Sequence, residues 1–400
     1  MIQPKIFYRD FDNLLKNIRH KKSGKNYLCS ILSEVQNNFG DALNFSNLSI
    51  YEEKGDDFVL VSSLPESSQF YKAQNLSKES PAVQQVLKNG TFIFDEKKYT
   101  LVPEKSSKSH SIILAAMVIR GPVHRWLVLF ELQSGWVRDE VLFSLNAIRT
   151  AVNYRLFSDA VQNELQQAAQ IQKSLLPQQI PKIKGYQIAV RAYTTEIVGG
   201  DLYDFFEFDD NNFGVCIGDA SGHGIPAALL VRDIVIGLRM GLEKHMKMVY
   251  TFLKLNSVIY RSTYSSRFVS LFYGEIEQDG HLIYINAGHP APFLVSGKKV
   301  IELEATGLIL GALPEITLHR SYTQIEPDAV LVMFSDGIFE RLNQKDAIFG
   351  IPRLKQLVIE NQKKDAHEIV DILCEHVYRF GNRSKWEDDS TLLVIKRERP

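Results

Sequence analysis

Cysteine is scarce in this chain: three residues among 400, at positions 29, 216 and 374. An odd count at wide spacing excludes a disulfide framework and points to a reducing, cytoplasmic compartment. Neither HExxH nor paired CxxC occurs, so the usual zinc-ligand spacings are missing. A cysteine-phosphatase loop is missing too, because Arg379 follows Cys374 by five positions and that loop needs six. Long apolar runs are also lacking. The longest clean one is 112–119, far short of the ~18 residues of a membrane span. The N-terminus, MIQPKIFYRDFDN, carries charges where a signal peptide needs its apolar core. No excess charge of one sign exists either: the net value of −1 gives no overall pull toward nucleic acid or an anionic membrane.

What is present is the composition of an ordinary globular protein, 45% hydrophobic and 23% charged, with length for two or three domains. Helical patterns run over 8–19 and 27–39; in the second, Leu28, Ile31, Leu32 and Val35 recur at helical spacing. Strand patterns follow at 48–51 and 58–62 around Gly55, then a short helix over 81–88 and a strand over 91–94. Residues 97–111 are polar and read as loop, and 112–120 with 125–132 form a hairpin around Gly121-Pro122. This element order, over about residues 10–155, resembles a GAF-type sensor domain, an α/β fold. The resemblance implies a small-molecule or protein signal; a structural or dimerising domain is the open alternative.

From 138 to 176 the chain reads as one long helix ended by Pro177. Val141, Leu145, Ile148, Val152 and Leu156 make one apolar stripe; Val161, Leu165, Ala168 and Leu175 make another, out of phase near Ser158-Asp159. A stuttered coiled coil has this pattern, which predicts a connector over 156–180 that joins two chains in a homodimer. A single amphipathic helix packed on its own domain is the alternative.

Residues 181–400 are strand-rich. Strands are predicted over 187–193, 203–208, 213–218, 269–277, 281–286, 293–296, 329–335 and 390–396, with helices over 225–244, 249–264, 351–361 and 366–379. Hairpin turns fall at 209–212 and at Asp279-Gly280. Helices grouped between runs of antiparallel strands predict an α+β fold. Four acidic signatures sit beside these strands: GGDLYD at 199–204, DASGHG at 219–224, SDG at 335–337 and DDST at 388–391. Each alone reads as a turn. Together they supply the hard oxygen ligands that Mg²⁺ or Mn²⁺ prefers, and a cation would offset the repulsion among gathered carboxylates.

The order GGDLYD, DASGHG, NAGHPAP (286–292), SDG and DDST resembles the PPM-type (protein phosphatase 2C clan) serine/threonine phosphatases, and within them the bacterial SpoIIE branch; QIQKSLLP at 170–177 resembles the lead-in of that branch. The resemblance covers about residues 165–397. It implies an α-β-β-α sandwich over 181–400 with two Mn²⁺ or Mg²⁺ ions at one end. By motif position, Asp201 and Asp219 would contact the metals with Asp219 bridging both. The carbonyl of Ala220, Asp336 and Asp388 would complete the sites. Asp204, Asp389 and His223 would stand in a second layer, and His289 would shape a loop. No arginine occupies the position where eukaryotic members hold phosphate; Arg191 lies ten residues before Asp201. The implied substrate is a phosphorylated protein, plausibly an anti-sigma factor antagonist of the STAS type in a partner-switching pathway. A catalytically inactive scaffold of the same fold is the rival reading.

Overall fold

Strands that are apolar on both faces must be covered on both sides, and the second half of this chain is built from such strands. A computed structural model of the chain describes residues 7, 9–11, 13–14, 24–64, 75–96, 99, 101, 113–209, 212–242, 247–262 and 267–399. The predicted helix over 8–19, the predicted loop over 97–111, the tip of the 209–212 turn and the predicted ends of the helices near 244 and 264 fall wholly or partly outside these residues. The chain divides into two units, Met1–Glu164 and Leu165–Pro400. The division lies inside one helix, Arg138–Leu175, about ten residues beyond the domain end predicted at 155.

In the first unit, strands β1 (Phe45–Lys54), β2 (Asp57–Leu64), β3 (Asn75–Ser77), β4 (Thr91–Ile93), β5 (Ile113–Arg120) and β6 (Arg125–Leu132) form one antiparallel sheet in the order β3-β2-β1-β6-β5-β4. The helix Gly24–Leu43 lays Leu28, Ile31, Leu32 and Val35 into a core with Ile50, Val128 and Phe130. Val141, Leu145, Ile148, Val152 and Leu156, the first predicted stripe of the long helix, belong to that core. The second predicted stripe is only partly covered within the chain. Val161 is exposed, and the buried residues of that stretch are Ala169 and Gln172. Among the described residues, no helix is long and apolar enough to cross a membrane.

In the second unit, β8 (Asp201–Glu207), β9 (Asn212–Ala220), β10 (Val269–Glu277), β11 (His281–Ala287) and β14 (Ser321–Gln324) form one sheet in the order β14-β11-β10-β9-β8. Strands β7 (Tyr186–Tyr193), β12 (Phe293–Ser296), β13 (Lys299–Glu302), β15 (Val330–Phe334) and β16 (Ser390–Arg397) form a second, in the order β13-β12-β15-β16-β7. β3, β13 and β14 are strands that the sequence pattern does not predict; each is short and carries too few apolar residues to stand out from the loops around it.

Facing residues of the two sheets make a common core, among them Phe213, Val215, Ile217, Phe272, Leu331, Met333, Leu393 and Ile395. The outer face of the first sheet is covered by helices Ile225–Leu242 and Met248–Ser262, through Val231, Ile234, Leu238, Phe252 and Leu255. The outer face of the second is covered by Ile351–Asn361 and Ala366–Phe380, through Leu354, Val358, Ile369 and Leu373. Four layers result: helix, sheet, sheet, helix.

Candidate metal centre

The side-chain period of a strand is two, so residue parity decides which layer a side chain enters. On β8, Tyr203 and Phe205 pack between the sheets, while Leu202 and Phe206 pack under the helices. Asp201 shares the inner face with Tyr203. On β9, Phe213, Val215 and Ile217 are inner, so Asp219 is inner as well. Asp201 and Asp219 are direct cross-strand partners, which sets two carboxylates side by side at one end of the sandwich.

The second sheet meets them there. Ser335 and Thr391 sit where β15 ends and β16 begins, and each hydroxyl donates to Oδ2 of Asp201 at 2.7 Å. The other oxygen of Asp201, Oδ1, is buried and has no hydrogen-bond partner. Asp336 follows Ser335 at the start of the short helix Asp336–Phe339, and Asp388 precedes Asp389 at the β16 end.

Proximity is written into the titration of these groups. Burial, followed by repulsion from Asp201, Asp336, Asp388 and Asp389, raises the pKa of Asp219 to about 8. Burial raises that of Asp201 to about 7; the Thr391 and Ser335 hydroxyls oppose the rise, and Asp389 and Asp336 add to it. Asp336 is raised by burial and by the charges of Asp388 and Glu340. Three carboxyls held above the usual carboxylate range by burial and by their acidic neighbours form a site that positive charge would relieve.

Backbone oxygen joins them. A Cβ placed on Gly200 would lie 2.8 Å from the carbonyl oxygen of Ala220, 3.0 Å from Asp219 Oδ1 and 3.5 Å from the carbonyl oxygen of Gly222. Only glycine lets the GGD segment pass this close to that group of oxygens. The peptide of Ala220 is fixed from the same side, its N–H donating to the Gly200 carbonyl at 3.0 Å. Ser221 secures the next residue: its N–H donates to the Phe268 carbonyl and its hydroxyl accepts from the Phe268 N–H, both at 2.9 Å. Positive φ at Gly222 (91°) and Gly224 (71°) then turns the chain away.

An orphaned buried oxygen, a convergent backbone carbonyl and an all-oxygen donor set fit hard divalent cations. The residues able to hold them are Asp201, Asp219, Ala220 through its carbonyl, Asp336 and Asp388. Among the described residues, the trio whose ligand atoms all fall within 4.8 Å of one another is a different one, the exposed Glu277, Asp279 and His281 on the β10–β11 hairpin.

The other sequence-predicted residues take separate roles. Asp389 is buried and supports the GGD segment: Oδ2 accepts from the Gly200 N–H at 2.7 Å, and Oδ1 accepts from the Thr195 N–H at 2.9 Å and hydroxyl at 3.1 Å. His223 is 84% exposed and pairs through Nδ1 with Glu196 at 2.8 Å, linking the DASGHG turn to the loop before β8. Asp204 does not belong with the metal ligands. Its even parity turns it to the helix-covered face, where Oδ2 accepts from Arg239 Nε at 2.8 Å. Arg191 points away as well, to Asp371 on the outer helix at 2.7 Å.

Sequence reading missed Ser335, Thr391 and Gln172 as supporting residues. Gln172 forms an amide pair with Gly199, accepting from its N–H at 3.1 Å and donating to its carbonyl at 2.5 Å. The signal for the hydroxyls was present, since both stand inside the SDG and DDST signatures.

Comparison with known proteins agrees with this geometry. Residues 209–398 match the family model SpoIIE, Stage II sporulation protein E. The chain is 28% identical over 241 residues to phosphoserine phosphatase RsbU of Bacillus subtilis, covering 60% of this chain and 71% of RsbU. It is 26% identical over 294 residues to protein IcfG of Synechocystis, covering 66% of this chain and 46% of IcfG. Among solved structures, the SiaA-PP2C domain of Pseudomonas aeruginosa superposes with a TM-score of 0.54 at 16% identity, over 60% of this chain and 98% of that domain. The last likeness concerns the fold.

Proposed function

We propose that this protein is a Mn²⁺- or Mg²⁺-dependent protein serine/threonine phosphatase, a reading supported by the match of residues 209–398 to the SpoIIE family model and by the fold shared with the SiaA-PP2C domain. The observation that carries the reading is the pairing of Asp201 and Asp219, with pKa values raised to about 7 and 8 beside Asp336 and Asp388. Two divalent cations held there would supply an activated water and offset the negative charge of a phosphoryl group. The chain's own residues orient the ligands. Ser335 and Thr391 fix one oxygen of Asp201 and leave the other free for a cation, and Gly200 leaves room for the Ala220 carbonyl to point at the same place.

RsbU is a phosphoserine phosphatase by name, which supports a phosphoserine- or phosphothreonine-bearing partner protein as substrate. A STAS-type anti-sigma factor antagonist in a partner-switching pathway is the finer form of the proposal.

Regulation through the N-terminal unit, read as a GAF-like sensor of an unidentified signal, is part of the same reading. Support comes from the C-terminal turns of the helix Arg138–Leu175. Gln172 grips Gly199, two residues before Asp201, and the Leu175 carbonyl accepts at 2.7 Å from Arg239, whose Nε donates to Asp204. A shift of this helix would therefore reach both the GGD segment and the helix that follows DASGHG. Exposed Tyr154, Phe157, Val161 and Ile171 on the same helix support a homodimer formed through it.

The test is Mn²⁺-dependent hydrolysis of a generic phosphate ester and a phosphoserine peptide. Asp219→Asn and Asp336→Asn are expected to lose activity by a factor on the order of 10³ or more, as loss of charge stabilisation at a reacting centre does. Equal activity in wild type and both variants would sink the metal assignment. Mn²⁺ binding without hydrolysis by any form would favour the inactive-scaffold reading.

A further inference from the structure

A buried histidine beside the metal centre is left without a role by the phosphatase reading. Strand β10 lies on the far side of β9 from β8, and its Ser270 is the cross-strand partner of Asp219. Phe272 and Ile276 place the even positions of β10 on the inner face, so Ser270 and Asp219 are neighbours on one surface. The Ser270 hydroxyl is 2.9 Å from Nδ1 of His289, a residue just beyond β11 that is 3% exposed. Phe334, the last residue of β15, leads directly into Ser335 and Asp336. His289 thus lies between the two sheets at the end where the carboxylates gather.

Much of the surrounding structure fixes this ring. The His289 N–H donates to Asn286 Oδ1 at 2.8 Å. Asn286 is fully buried and donates through Nδ2 to the Leu303 carbonyl at 3.0 Å and through its own N–H to the Thr306 hydroxyl at 3.0 Å. Burial lowers the pKa of His289 to about 3, so the ring is neutral at physiological pH. A neutral ring has one N–H and one lone pair, and Nδ1 is the nitrogen that meets the Ser270 hydroxyl. Nε2 makes no hydrogen bond of its own. The Ser270 contact is therefore the hydrogen bond that orients the ring.

We infer that His289 is a positioning residue: it holds Ser270 beside Asp219, so that this strand keeps the Asp219 carboxylate where a pair of cations needs it. This rests on the metal-centre reading above. Residues outside the direct ligands of a metal commonly control its affinity by about 10–100-fold through such contacts.

The experiment is calorimetric titration of the whole, metal-stripped chain with Mn²⁺, alongside its thermal melting. Ser270→Ala and His289→Leu are expected to weaken Mn²⁺ binding about tenfold, whereas His289→Asn, whose amide can stand where Nδ1 stands, stays within about threefold of wild type. A merely structural histidine would lower the melting temperature alike in His289→Leu and His289→Asn and leave the affinity of Ser270→Ala untouched. Wild-type Mn²⁺ affinity in Ser270→Ala overturns the inference, as does equal loss in the Asn and Leu variants. Asp219→Asn separates the two readings: if it binds Mn²⁺ like wild type, the metal centre itself is wrong; if it loses binding while Ser270→Ala does not, the positioning role alone fails.

Discussion

The two units treat polarity in opposite ways. Among the described residues, the first buries Thr91 and Ser144 as its polar side chains, and its sheet is otherwise sealed with Ile, Leu, Val and Phe. The second buries Asp201, Asp204, Asp389, Asn286, His289, Ser335 and Thr391. A buried carboxylate costs free energy unless something compensates it, so a fold keeps several together only where charge is to be met. The first unit is organised by packing and the second by packing plus one polar end. That contrast locates the chemistry before any relative is consulted.

The largest further effect should come from stripping support off the polar end. Ser335→Ala and Thr391→Val each remove one 2.7 Å hydrogen bond from Asp201 Oδ2. Each is expected to weaken Mn²⁺ affinity roughly tenfold or more, read by calorimetry, and the double variant by more than either alone. Affinity unchanged in both would show that Asp201 needs no such orientation.

A core deletion in the other unit sharpens the comparison from the opposite side. Leu28 is fully buried against the first sheet. Leu28→Ala should destabilise that unit by about 3 kcal/mol in urea unfolding, from lost transfer energy and a residual cavity, while Mn²⁺ affinity stays put. A change in metal affinity would mean that the dry unit reaches the wet one energetically.

The smallest effect concerns pH. Folded Asp201 and Asp219 titrate near about 7 and 8, whereas unfolded aspartate titrates near 3.8. Between those values the folded, metal-free chain holds more protons than the unfolded one, so stability falls as pH rises from about 4 to about 8. The melting temperature of chelator-treated protein should fall progressively over that interval, and saturating Mn²⁺ should flatten the trend. A metal-free melting curve that is flat or rises with pH would contradict the clustering of these carboxylates.

Much of the architecture was readable from pattern. Eight of the ten strands of the second unit and its four longer helices follow the apolar pattern, and the motifs supply the acidic ligands. Strands β13 and β14 were not readable, because KVIE and SYTQ are short and carry too few apolar residues to stand out from the loops around them. In the second stripe of the long helix Val161 faces outward, as a seam between two chains would require, and within the chain the burial goes to Ala169 and Gln172.

The distinction between Asp201 and Asp204 shows where sequence stops. Both stand in one hexapeptide, GGDLYD, and nothing local ranks one over the other. The fold ranks them by parity: the odd residue faces the other sheet and meets Ser335 and Thr391, 134 and 190 positions away in the chain, while the even one faces a helix and meets Arg239. Sequence alone determined the kinds of ligand, their order and the strands that present them, since these depend on residue chemistry and local periodicity. Tertiary structure alone decided which carboxylates converge, which hydroxyls hold them and that His289 stands behind Asp219. Those outcomes depend on register between distant strands, and a shift of one residue would have sent every side chain to the opposite layer.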